Sequence, residues 1–156
     1  MDRLIHHKYK QMEIQEMGMY TEIYVKLSLE QDTPKEIIEI LKHMMGEDAE
    51  IPKGKLPDHE LFTKPCWEFM LRCSSYYHIP DCVGKLWYNE IAHQWFLVNR
   101  SDLKNYESEI ESFFDWIYPY VEHNHDKQFL GYELYEEECE PTMYYKTDSG
   151  LQIKMP

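Results

Sequence analysis

A change of hydrophobic period between residues 20 and 46 constrains the fold more than any other feature. Over Tyr20–Leu29, Ile23, Val25, Leu27 and Leu29 alternate with Glu22, Tyr24, Lys26 and Ser28. A period of two puts the apolar set on one face of a strand. Immediately afterwards Ile37, Ile38, Leu41, Met44 and Met45 follow helical spacing and stop at Gly46. Thr33, Pro34 and Glu36 read as a helix start, with Thr33 capping and Glu36 closing a capping box. A half-apolar strand leading into an amphipathic helix must bury both apolar faces against each other. This requires a layered α/β arrangement rather than a bundle or an all-β sandwich.

The rest of the chain repeats these signals. Residues 47–65 read as a loop broken by Pro52, Gly54, Pro57 and Pro65, with a helical turn around Glu60–Phe62. A strand is expected from Met70 to Tyr77, then a hairpin over Gly84–Ala92 and Gln94–Arg100 that turns near Ala92 and His93. Ser108 and Glu111 form a second capping box. Ile110, Phe113, Phe114, Ile117 and Val121 then make one helical stripe, which Pro119 should kink or end. Strands over Phe129–Glu136 and Thr142–Thr147 complete the order β-α-β-β-β-α-β-β, and Leu151–Met155 could add one extra short strand. The expected fold is α+β: a two-layer sandwich of a mostly antiparallel sheet with two helices packed on one face. The other face would carry many of the 13 tyrosines and offers a surface for a homodimer. Residues 1–18 read as an extension, a tail or short arm, and 19–156 as a single domain. A chain of 156 residues is long enough to fold without a metal or disulfide.

Charge narrows the function. The chain carries 29 Asp+Glu against 16 Lys+Arg, a net charge of −13. Such a field disfavours direct contact with nucleic acid or an anionic membrane. The excess is local, since residues 107–140 hold 11 acidic residues and 1 basic one. Glu107, Glu111 and Asp115 lie off the apolar stripe of the second helix. Glu136, Glu137, Glu138 and Glu140 follow in a run beside Tyr132 and Tyr135. One reading is a solvated face that maintains solubility. The other is a docking surface for a basic protein partner, with Tyr132 and Tyr135 as anchors. Solubility does not explain the missing Lys and Arg, because like charges four apart destabilise a helix.

Other chemistry leaves weaker marks. No P-loop, G-x-G-x-x-G, G-x-S-x-G or H-E-x-x-H occurs. His123, His125 and Asp126 could ligate a metal, or simply form a polar helix exit. Cys73 with His78 and Asp81 could be a thiol nucleophile and base, though their spacing does not require it. Neither pattern justifies a cofactor, so none is expected. The four cysteines form no C-x-x-C pair and are expected to be reduced. An aromatic pocket built from Tyr77, Trp87 and Trp95 with Arg72 or Arg100 is the alternative site, suited to a nucleotide-like ligand. With no apolar run long enough to span a bilayer and no secretory signal, a cytoplasmic location is expected.

Several stretches also show a resemblance. Met19-Tyr20-Thr21-Glu22, Asp32-Thr33-Pro34, Arg72-Cys73-Ser74-Ser75-Tyr76-Tyr77, Phe114-Asp115-Trp116-Ile117-Tyr118-Pro119-Tyr120 and Gly131-Tyr132…Tyr135-Glu136…Glu140-Pro141-Thr142 carry it. Through them the chain resembles a family of small acidic uncharacterised proteins from bacterial and phage genomes. The resemblance spans Met19 to about Tyr145 and transfers no catalytic residue. It implies a bacterial or viral setting, in which a role in phage–host conflict, as inhibitor of a nuclease or toxin component, becomes a reasonable expectation.

Overall fold

The computed structural model describes residues 19–47, 51, 56–74 and 82–156. Six strands form one sheet in the spatial order β2-β3-β1-β4-β5-β6, with every neighbouring pair antiparallel. They are β1 (Thr21–Ser28), β2 (Val83–Asn89), β3 (Gln94–Leu103), β4 (Lys127–Tyr135), β5 (Thr142–Thr147) and β6 (Gly150–Lys154). Two helices, α1 (Lys35–Met44) and α2 (Glu109–Ile117), lie on the same side of it. The expected α+β sandwich is the fold observed.

Register explains why the core lies where it does. Ile23, Val25 and Leu27 of β1 sit opposite Ser101, Asn99 and Leu97 of β3, and Ile23 and Val25 sit opposite Glu133 and Gly131 of β4. Directly opposed residues share a face, so this row defines the side that the helices cover. α1 contributes Ile37, Ile38, Leu41 and Met44, and α2 contributes Ile110, Phe113, Phe114 and Ile117, all buried. Phe114 stacks on Tyr144 of β5 with ring centroids 4.1 Å apart. Its ring also crosses Gly131, where an added Cβ would overlap the Tyr24 carbonyl oxygen and approach Phe114 to 2.9 Å. Gly131 follows a register shift in the β4–β5 ladder, a bulge at Leu130 that brings the backbone and the ring together.

The connection between α1 and β2 belongs to the helix layer. A 3₁₀ turn at Glu60–Thr63 buries Leu61, and Phe62 meets both Trp67 and Trp116 edge-on, at 5.0 and 5.4 Å. His59 Nε2 lies 3.0 Å from Asp115 Oδ2, and Ser112 Oγ donates to Glu60 Oε1 at 2.8 Å, which fixes the turn against α2. A second 3₁₀ turn at Trp67–Phe69 runs into a turn through Met70–Arg72, where the sequence suggested a strand. The reason is visible in the hydrogen bonds. The Met70 and Leu71 carbonyls accept from Ser101 Oγ and Asn99 Nδ2, at 2.6 and 2.7 Å, so side chains of β3 hold a bent backbone there. A ladder-like bond appears at Cys73, whose carbonyl accepts the Asp102 N–H at 3.0 Å. Residues 75–77 of the expected strand lie outside the described residues. The remaining order is β-α-β-β-α-β-β-β.

Neither capping box forms. The N-cap of α1 is Pro34, and Thr33 Oγ1 donates back to the Glu30 carbonyl at 2.7 Å instead of capping. Pro34 in extended geometry shifts the helix start by one residue, so Thr33 and Glu36 no longer have the reciprocal spacing. At α2, Ser108 is left-handed (φ 57°) and its side chain makes no cap bond. Asn105 Oδ1 accepts the Ile110 N–H at 3.0 Å in its place. Pro119 ends α2 as expected, in a 3₁₀ turn over Tyr118–Tyr120.

Candidate functional site: carboxylates around α2 and the β4–β5 turn

Glu111 and Asp115 are exposed one turn apart on the outer side of α2, whereas Glu107, expected on the helix, is exposed in the turn before it because the left-handed Ser108 delays the helix start to Glu109. Asp115 faces His59 and so belongs partly to the fold. Glu133 of β4 points to the same side, because it sits opposite the buried Ile23. Burial lifts the Glu133 carboxyl above the usual carboxylate range, and the charges of Glu111 and Glu138 lift it further, against a hydrogen bond from Tyr144. The Tyr144 hydroxyl is raised in turn, by burial first and then by Glu133 and Glu111. Glu133 Oε2 is buried and has no hydrogen-bond partner among the described residues. A helix carboxylate and a turn carboxylate thus act on one half-buried acid between them.

The turn itself is built by two backbone bonds. Glu136 N–H donates to the Tyr20 carbonyl at 3.1 Å, and Glu138 N–H to the Tyr135 carbonyl at 2.9 Å. Glu137, Glu138 and Glu140 are exposed beyond it, and Glu136 is half-buried. Tyr135 lies among them. Desolvation raises its hydroxyl, and Glu137, Glu136, Tyr106 and Glu138 add to the effect. Among the described residues, none of Glu107, Glu111, Glu136, Glu137, Glu138 and Glu140 forms an ion pair. The carboxylates therefore keep their field.

The structure brings Tyr135 to these acids but sets Tyr132 apart. Tyr132 is on the opposite side of the sheet, stacked on Tyr24 at 5.3 Å, with its hydroxyl donating to Glu22 Oε1 at 2.6 Å. Burial, with Glu22, pushes that hydroxyl up to about 12. Sequence reasoning missed Glu133 and Tyr106. Tyr106 is 67% exposed, and its place beside Tyr135 depends on how the β3–α2 loop folds over the sheet end. For Glu133, only the pairing with Ile23 shows that it faces the core side.

Residues of the aromatic-pocket alternative do not converge. Arg72 lines an open pocket of about 290 Å³ with Met45, Leu71, Cys82, Gly84 and Asn99. Trp87 and Arg100 lie on the face of the sheet opposite α1 and α2, paired in register with Phe96 and Val83. Trp95 is on the helix side under Lys42, whose Nζ stands 5.0 Å from its ring. Arg100 is held by Glu22 and Asp102, with a two-pronged contact to Asp102 at 2.8 and 2.9 Å. Tyr77 lies outside the described residues.

His123 Nδ1 lies 3.6 Å from Asp148, and among the described residues no group of three His, Cys, Asp or Glu is gathered as a metal site. His78 and Asp81, the expected partners of Cys73, lie outside the described residues. Burial pushes the thiols of Cys66, Cys73 and Cys82 up, which keeps them protonated and weakly nucleophilic. Among the described residues no helix is long and apolar enough to cross a membrane. No family model, curated protein or solved structure matches the chain.

Proposed function

We propose that the chain is a non-enzymatic interaction protein whose acidic side binds and inhibits a basic, nucleic-acid-handling protein, such as a nuclease or toxin component. The observation that carries this reading is that Glu133 of β4, on the helix side of the sheet, lies within electrostatic reach of Glu111 of α2 and Glu138 of the β4–β5 turn. Unpaired carboxylates present there what a phosphate-gripping Arg or Lys would otherwise seek, and a field of one sign raises the encounter rate. Tyr135 and the exposed Tyr106 beside it supply apolar contact that charge alone lacks. A half-buried carboxylate among like charges opposes folding, as strained functional sites commonly do.

The test is capture of basic proteins from bacterial extract on the immobilised chain at about 50 mM salt. The reading expects a captured partner that the chain inhibits, and that it binds and inhibits poorly or not at all once Glu136→Lys, Glu137→Lys and Glu138→Lys are introduced together. Full binding by the triple variant would refute it.

A further inference from the structure

The face of the sheet that no helix covers among the described residues combines aromatic rings with cations. Three ring pairs cross it, each joining neighbouring strands. Trp87 stacks on Phe96 at 5.5 Å, Tyr24 on Tyr132 at 5.3 Å, and Phe129 meets Tyr145 at 5.7 Å. All six rings are half-buried and keep exposed area. The register sets Lys85, Val98 and Lys26 in one row between the first two pairs, and Lys154 beside Met143 at the far side. Lys85 Nζ stands 5.2 Å from the Trp87 ring, and Lys127 Nζ 4.0 Å from the Tyr145 ring.

Among the described strand residues, the charged ones that the register places on this face are Lys26, Lys85, Arg100, Lys127 and Lys154 against Glu22 and Asp102. Both acids are bonded to Arg100. The net charge of −13 argues against a polyanion for the molecule as a whole. Locally the sign is opposite. Salt screens a charge's field over about 8 Å at physiological ionic strength, and the exposed carboxylates of α2, Glu111 and Asp115, are on the far side of both layers.

We propose that this open sheet face binds single-stranded nucleic acid. Flat rings on a sheet stack bases irrespective of sequence, and lysines set between them meet the phosphates. A duplex keeps its base faces stacked internally, so it cannot use the rings. The proposal is independent of the acidic-side reading, because Tyr132 stands on this face, apart from the acids, and the residues named for the two surfaces do not overlap.

Fluorescence anisotropy with labelled oligo-dT and oligo-U of about 15 nucleotides, and with a duplex of equal length, tests it at about 50 mM salt. The expected result is single-strand binding with quenching of tryptophan fluorescence and at least about tenfold weaker duplex binding. Lys26→Glu with Lys85→Glu alters exposed side chains only, and should cut single-strand affinity while lowering the salt slope by about 0.7 per lysine. Trp87→Leu should weaken binding without changing that slope, and if this variant does not fold, the lysine pair decides. The Glu136→Lys, Glu137→Lys, Glu138→Lys variant should bind the strand no less well than the parent, which separates failure here from failure of the acidic-side reading. Absence of single-strand binding, equal affinity for duplex, or unchanged affinity in the lysine pair would overturn the proposal.

Discussion

Glu133 is the residue at which the fold and the proposed function conflict. Its raised carboxyl means that the folded chain holds a proton more tightly than the unfolded chain does. The folded state therefore binds more protons over the window between the ordinary glutamate value and the raised one, so stability falls as pH rises through that window. Glu133→Gln removes the charge and retains an acceptor for Tyr144. It should raise the melting temperature at neutral pH by about 2–4 °C, for roughly 1 kcal/mol in a chain of this size. It should also flatten the pH dependence of stability above the ordinary glutamate range, as thermal melts across pH would show.

The opposite case is Arg100. Glu22 is 7% exposed and Asp102 fully buried, and both depend on this guanidinium. Arg100→Met should cost about 3–5 kcal/mol, read from the midpoint of urea unfolding, because two buried carboxylates would lose the guanidinium that bonds both. Neither effect was legible in the sequence. Arg100 reads there as a cation beside aromatics and Glu133 as one acid among many, since the pairing of Arg100 with Glu22 and of Glu133 with Ile23 joins strands far apart in the chain.

At the scale of elements, periodicity was informative and capping was not. The stripe Ile110–Phe113–Phe114–Ile117 and the alternation of Ile23, Val25 and Leu27 gave α2 and β1 correctly, because burial imposes those periods directly. Cap chemistry depends on one or two dihedral angles. Pro34 and the left-handed Ser108 redirected both helix starts. The strand expected from Met70 failed for a related reason, since Asn99 and Ser101 capture its carbonyls from outside the segment.

The cap found at α2 has a measurable consequence. Asn105→Ala should lower stability by about 0.5–2 kcal/mol, whereas Ser108→Ala should have almost no effect. Gly131→Ala should destabilise by about 1–3 kcal/mol or more, because the bulge leaves no room between the Tyr24 carbonyl and Phe114. Chemical denaturation of the three variants checks all of these.

Across the whole molecule, charge is sorted by face. Counting along the chain located the acidic excess in residues 107–140, and the structure gathers Glu111, Glu133 and Glu138 from that range. The same count concealed the lysines of the open face, which come from four strands and never cluster in sequence. It also placed Tyr132 with the acids, although alternation along β4 sends it to the other side from Glu133. The acidic side should associate with a basic partner in a strongly salt-dependent way, with affinity falling steeply between low and physiological salt.

Hydrogen–deuterium exchange of the chain alone and in complex with its captured partner tests the acidic docking surface most directly. The account predicts new protection over α2 and over Tyr135–Glu140, with the open sheet face unchanged. Protection confined to the open face, or exchange at α2 and the β4–β5 turn identical in the free and bound states, would contradict it.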